Sequence, residues 1–100
     1  MENDSTRVVI MWPDIGEHHI ARLRGATRRC PELEIIGLAT VGGAGRQWLP
    51  LDGARPDGLR IETLFPAYRV ADLQGERIAR SVHETLSRLM PHAVAVCGWR

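Results

Sequence analysis

The chain has 100 residues, enough for one small domain but too few for two. Hydrophobic residues make up 44 % of it and charged residues 25 %, a composition typical of folded globular proteins rather than disordered chains. Because 13 basic residues are balanced by 12 acidic ones, the formal net charge is +1, and we expect no nucleic acid partner.

Cysteine spacing and the N-terminal residues favour a cytoplasmic location. Cys30 and Cys97 form no CxxC motif, which predicts reduced thiols rather than metal or redox chemistry. Residues 1–6 (MENDST) are polar, unlike a secretory signal, and predict a disordered tail. No apolar run approaches the roughly 20 residues of a membrane span, so we expect a cytoplasmic protein without an integral membrane segment.

Two predicted strands flank a helix in the first part of the chain. Residues 8–12 (VVIMW) are continuously apolar, which is typical of a strand covered on both faces of a parallel sheet. From Glu17 the apolar residues recur at helical spacing, and Pro31 ends this helix. Residues 34–40 (EIIGLAT) predict a second buried strand.

A loop and a third strand come next. Residues 46–58 contain two prolines, two glycines and two aspartates, and this composition predicts a loop. Trp48 in that loop is either an aromatic platform for a sugar or lipid, or the plug that holds the loop against the domain. Residues 60–65 (RIETLF) alternate in polarity and predict a third strand, nearer the edge of the sheet.

The last part of the chain contains the clearest amphipathic pattern. Apolar residues at three- and four-residue steps predict a long helix from Val70 to about Met90, with Asp72 capping its start. Residues 93–97 (AVAVC) predict a fourth strand.

The order of these elements predicts an α/β fold. Right-handed crossovers give four parallel strands in the order 3-2-1-4 with two main helices, which is a partial, Rossmann-like, doubly wound sheet. No helix follows the fourth strand in this sequence, so its apolar surface and its edge are expected to be open. We therefore predict that residues 7–100 form a truncated domain.

The candidate binding site lies beyond the carboxyl ends of the first and fourth strands, where the strand order reverses. The helix start after the first strand favours an anion such as a diphosphate, or alternatively a sugar hydroxyl. A partly exposed polar helix start without a ligand is the simpler interpretation. The candidate residues are Gly16, Glu17, His18 and His19 in the first segment and Gly98 and Trp99 in the second.

Several other kinds of site are not expected. His18 and His19 are adjacent, so their side chains are predicted to point in different directions. No set of His, Cys and carboxylate residues has zinc-ligand spacing, and we expect neither a metal nor another cofactor. Residues 42–46 (GGAGR) lack the P-loop pattern, and no GxGxxG follows the first strand.

Residues 8–12 followed by 14–23 (DIGEHHIARL) resemble the N-terminus of GT-B fold glycosyltransferases of the retaining, family 4 type. The resemblance extends to Trp48, to residues 64–66 (LFP) and to residues 93–99 (AVAVCGW), and so covers most of the chain. In that family an N-terminal Rossmann-like domain binds the acceptor, and a second domain binds the nucleotide-sugar donor.

The resemblance implies that residues 7–100 are the incomplete acceptor-side domain of such an enzyme, whose donor-binding domain is absent here. It implies a nucleotide-sugar donor and an acceptor as partners, and a fragment inactive alone, with catalytic residues unassigned. The turn at Gly16, Glu17, His18 and His19 would approach the donor diphosphate and sugar. Gly16 and Glu17 stand where the family has a glycine pair.

An alternative comes from a different class of protein. A small, non-catalytic Rossmann-like binding module would close its open sheet by oligomerising and would fold in a concentration-dependent way. A hydrolase or an epimerase is less favoured because the chain contains neither a GxSxG motif nor a dinucleotide-binding loop.

Overall fold

The computed structural model describes residues 6–42, 53–54, 59–68 and 70–96. In these residues five strands form one sheet in the order β3-β4-β2-β1-β5. The elements in chain order are β1 (Thr6–Trp12), α1 (Glu17–Arg29), β2 (Leu33–Val41), β3 (Gly53–Ala54), β4 (Arg60–Phe65), a 3-10 turn (Val70–Asp72), α2 (Gly75–Leu89) and β5 (Ala93–Val96).

The predicted fold class is confirmed. The four predicted strands are β1, β2, β4 and β5; they run parallel, and their spatial order is the predicted 3-2-1-4. β1 lies in the middle, with β2 on one side and β5 on the other. The exits of β1 and β5 are therefore neighbours at the point where the strand order reverses.

The prediction of an unbroken loop over residues 46–58 is wrong at two positions. Gly53 and Ala54 form β3, which pairs antiparallel with β4 through Gly53↔Ile61 and Ala54↔Arg60. Two residues are too few to show a period in the sequence. The N-terminal boundary also moves by one residue, since β1 begins at Thr6; residues 1–5 of the predicted tail lie outside the described range.

The start of the second helix also differs from its prediction. Asp72 belongs to the 3-10 turn, and Gln74 occupies the N-cap position of α2. The apolar spacing runs on across this break, because a 3-10 turn and the following helix both repeat every three to four residues. The sequence pattern therefore predicts one helix where the structure has a 3-10 turn followed by α2.

Each helix covers one face of the sheet. On the first face, Ile20 and Leu23 of α1 pack in a buried cluster whose other members are Trp12, Ile15, Ala39, Leu59 and Ile61. On the opposite face, Leu89 of α2 packs in a second cluster with Val9, Ile36 and Leu38. Alternation of side chains along β1 and β2 thus buries both faces of the central strands.

Gly37 allows α1 to approach β2 closely. A Cβ atom at Gly37 would lie 2.8 Å from Cδ1 of Leu23 and 3.4 Å from Cδ1 of Ile15, both of which are buried. A larger residue here must push the helix or its side chains away from the sheet.

We expect Gly37→Val to lower the free energy of unfolding by about 1 to 3 kcal/mol, although valine is intrinsically favoured in strands. Gly25 on α1 is the matched control, because a Cβ atom there meets nothing within 4 Å. Gly25→Ala should raise the free energy of unfolding by about 0.5 to 1 kcal/mol. Urea unfolding measures both changes, and a Gly37→Val protein as stable as the parent would contradict the close approach.

A chain of alternating charges crosses the amino-terminal ends of the strands, on the α2 face. Arg7 Nε donates to Glu34 at 2.9 Å, and Glu34 lies 3.7 Å from Arg60. Arg60 and Arg88 each donate to Glu62 at 2.8 Å. This charge ladder of Arg7, Glu34, Arg60, Glu62 and Arg88 links β1, β2, β4 and α2.

The same edge holds the end of α2 and the start of β5. Arg7 donates from its guanidinium to the backbone oxygen of Leu89, near the C-terminus of α2. The backbone N–H of His92 donates to Arg7 O at 2.8 Å, and the backbone N–H of Arg7 donates to His92 Nδ1 at 3.0 Å. Arg7 therefore connects three elements at one point.

Hydrogen bonding from Arg88 lowers the pKa of Glu62, partial burial opposes this shift, and Arg60 adds to the lowering. A carboxylate whose pKa is lower in the folded state stabilises the fold above its unfolded-state pKa, about 4.3. That contribution is lost as the pH falls through the lower folded-state pKa.

Glu62→Gln should therefore lower the free energy of unfolding at pH 7 by about 1 kcal/mol and make it less sensitive to acid below about pH 5. Glu76→Gln is the control, since Glu76 is 84 % exposed and lies 3.9 Å from Arg80. Urea unfolding from pH 7 to pH 3 compares the two variants. Equal pH profiles for Glu62→Gln and the parent would refute the role of the ladder.

β5 is open to solvent. It pairs with β1 from Val8↔Ala93 to Met11↔Val96, and within the described residues no strand pairs with its other edge. All four of its residues are exposed, with Val94 at 41 % and Val96 at 73 %. The apolar surface expected on the fourth predicted strand is present, while Cys97 lies outside the described residues.

Candidate functional site

The turn between β1 and α1 is held by backbone and core contacts. The N–H of Val41, the last residue of β2, donates to Pro13 O at 3.0 Å. Ile15 is fully buried in the first core cluster, and Gly16 is the N-cap residue of α1. The turn is thus fixed at the carboxyl edge of the sheet, where ligands bind in folds of this class.

The side chain of His19 caps the N-terminus of α1, the helix to which it belongs. The backbone N–H of Gly16 donates to Nδ1 of His19 at 2.9 Å. Because Nδ1 accepts this bond, neutral His19 carries its proton on Nε2. One of the two predicted binding histidines therefore has a structural task.

The two histidine rings lie against each other. The ring centroids of His18 and His19 are 3.9 Å apart and tilted by 41°, and His19 also lies 4.7 Å from the Trp12 ring. The prediction that the side chains point in different directions is wrong. The His19 side chain turns back to reach Gly16, and its ring contacts the rings of both His18 and Trp12.

This ring stack runs from the core to the surface. Trp12 is buried, His19 is half-buried, and His18 is exposed. The His18 imidazole can donate or accept a hydrogen bond with a hydroxyl group, and its ring can contact the apolar face of a sugar. His18 is thus the member of the stack that is open to a ligand.

The electrostatics of this helix start favour a neutral ligand over a phosphate. The N–H of Gly16 is already used by His19, and the exposed Glu17 carboxylate occupies the first turn. Its negative charge offsets the positive end of the helix dipole. The expected attraction for a diphosphate is weakened, while hydrogen bonding to a hydroxyl is unaffected.

The structure places only part of the predicted site. Gly16, Glu17, His18 and His19 lie together at the β1 exit, and Met11 pairs with Val96, so β5 ends beside them. Gly98 and Trp99 lie outside the described residues, as does Trp48.

A second cluster at this edge, formed by an arginine and two aromatic rings, is not predicted from the sequence. The guanidinium carbon of Arg77 on α2 lies 5.1 Å from the ring centroid of Phe65 and 5.2 Å from that of Tyr68. The two rings meet edge to face at 83°, with centroids 6.0 Å apart. Nothing in the spacing of Arg77 relative to these rings signals the contact, because the chain passes through the 3-10 turn in between.

Across residues 6–42, 53–54, 59–68 and 70–96, no three His, Cys, Asp or Glu side chains group closely enough to hold a metal ion. Over the same ranges, no helix has the length and apolar character needed to span a membrane. No protein-family model, curated protein or solved structure matches this chain.

The capping role of His19 predicts unequal effects of two neighbouring substitutions. His19→Ala should lower the free energy of unfolding by about 0.5 to 2 kcal/mol, because the Gly16 N–H loses its acceptor and the stack loses its middle ring. His18→Ala is the matched control and should change stability by less than about 0.5 kcal/mol. Thermal unfolding followed by circular dichroism compares them, and equal losses would contradict this division of roles.

Proposed function

We propose that this chain is the N-terminal, acceptor-side part of a cytoplasmic glycosyltransferase that transfers a sugar from a nucleotide-sugar to an acceptor hydroxyl. The observation that carries the proposal is the position of the exposed His18 imidazole. It lies at the exit of β1, beside the exit of β5, where the strand order of the sheet reverses. The resemblance of residues 8–23 to the first strand and turn of such enzymes supports the same assignment.

The chemistry of the turn supports an acceptor-side role. Glu17 and the occupied N–H of Gly16 reduce the attraction of this helix start for a phosphate. His18 is exposed to solvent and packs against His19, which in turn packs against Trp12. A sugar or another polyhydroxyl acceptor fits these features better than the donor diphosphate does.

The proposal assigns the donor to a second domain. Transfer leaves negative charge on the departing diphosphate, which requires positively charged groups or N–H donors placed in advance. The exposed valines of β5 support further structure beside this sheet, since strands of parallel sheets are normally covered on both faces. The hundred residues alone should therefore bind sugars weakly and transfer none.

An NMR titration tests this proposal. We expect glycosides, as acceptor analogues, to shift the backbone amide signals of Glu17 and His18, and to do so at millimolar concentrations. His18→Ala should remove the response, whereas His83→Ala, at an exposed position on α2, should retain it. Sugar transfer by this chain alone, or no response of the turn to any sugar, would contradict the proposal.

A second candidate function is a non-catalytic module that oligomerises through β5. The specific observation in its favour is that Ala93–Val96 contains neither a charged residue nor a proline, the usual protection of an exposed edge strand. Sedimentation velocity over a range of protein concentrations distinguishes the two candidates. A defined dimer that Val96→Lys dissociates would favour the module, and a monomer at every concentration would exclude it.

A further inference from the structure

Arg77, Phe65 and Tyr68 form an aromatic corner at the carboxyl end of β4. The guanidinium carbon is almost equally distant from the two ring centroids, at 5.1 Å and 5.2 Å. Phe65 is buried, whereas the Tyr68 side chain is 39 % exposed and Arg77 is exposed. The corner therefore has a buried base and an open side.

The base of the corner is held by backbone contacts. Phe65 ends β4 and pairs with Val41 of β2, and the N–H of Tyr68 donates to Phe65 O at 3.2 Å. Gly42 lies so close to Pro66 that a Cβ atom would overlap the Pro66 carbonyl oxygen. These backbone contacts hold the segment that carries the two rings against the end of β2.

The surroundings of Arg77 differ from those of the ladder arginines. Arg7, Arg60 and Arg88 each contact a carboxylate, and the contacts of Arg77 within the described residues are with the two rings. Arg77 also lies in the first turn of α2, where a positive charge opposes the helix dipole. The helix dipole therefore does not account for an arginine here, whereas its contact with the two rings favours one.

A guanidinium held in this way is suited to a planar anion. Its five N–H donors lie in a rigid fork that matches the two oxygens of a carboxylate, and it is weakly hydrated. Contact with the rings reduces the side-chain freedom that binding would remove. Tyr68, which is 39 % exposed, adds apolar ring surface next to the guanidinium.

We propose that the aromatic corner binds a small carboxylate whose attached group packs against the Tyr68 ring. The site is separate from the β1 exit and does not depend on the glycosyltransferase proposal. The expected ligand is a carboxylate joined to an apolar or aromatic group. Inorganic phosphate is the alternative anion that an arginine could bind here.

NMR detection of the arginine Nε–H signals tests the proposal on the whole chain. Benzoate, acetate and inorganic phosphate are titrated at constant ionic strength. We expect the Arg77 signal to shift and saturate with benzoate, at a concentration about tenfold lower than with acetate. The exposed Arg28 and Arg29, at the end of α1, are internal controls and should show no saturating shift.

Two variants test the guanidinium fork of Arg77 and the ring of Tyr68 separately. Arg77→Lys keeps the charge but loses the bidentate fork, and should weaken benzoate binding about tenfold. Tyr68→Ala should reduce the preference for benzoate over acetate. Backbone amide spectra check that both variants stay folded, and the parent titration alone remains decisive if one does not.

Three results would overturn the proposal. The first is an Arg77 signal that responds no more than the signals of Arg28 and Arg29. The second is tighter binding of phosphate than of benzoate, which would make the corner a phosphate site. The third is benzoate binding unchanged in Arg77→Lys, which would remove any role for the guanidinium fork.

Discussion

The pairing of β1 with β2 at the centre of the sheet is the constraint on which the rest of the structure depends. The two strands run parallel from Thr6↔Leu33 to Trp12↔Ala39, and both of their faces have to be buried. α1 covers one face and α2 the other, each through its own apolar cluster. Crossovers of this type are right-handed, so helices on opposite faces require strands to be added on both sides of β1. β2 therefore lies on one side of β1, and β5 lies on the other.

This arrangement puts the stabilising contacts and the groups of the proposed binding sites at opposite ends of the strands. At the amino-terminal edge, the charge ladder and the Arg7 contacts fasten β1 to β2, α2 and β5. At the carboxyl edge, exposed helix side chains lie next to the ends of strands: His18 of α1 lies beside β1, and Arg77 of α2 lies beside β4. The rigid centre is what gives such exposed groups a defined geometry.

The sequence pattern predicts the architecture because each main element buries a continuous or periodic apolar surface. Apolar runs identify β1 and β2, alternating polarity identifies β4, and the helical period of apolar residues identifies α2. The right-handedness of the crossovers then gives the strand order. β3 and the 3-10 turn escape prediction because two or three residues carry no period. The His18–His19 stack and the aromatic corner escape it because ring contacts depend on rotamers and on chain reversals, which a linear pattern does not contain.

Native-state hydrogen exchange tests most directly whether β1 is a central strand and β5 an exposed edge. A strand paired on both sides has every amide protected, whereas a strand paired on one side protects alternate amides only. We expect slow exchange at all amides of β1 from Val8 to Met11, and alternating slow and fast exchange along Ala93–Val96. Alternating protection in β1, or uniform protection in β5 of the monomer, would contradict the sheet order and the open edge.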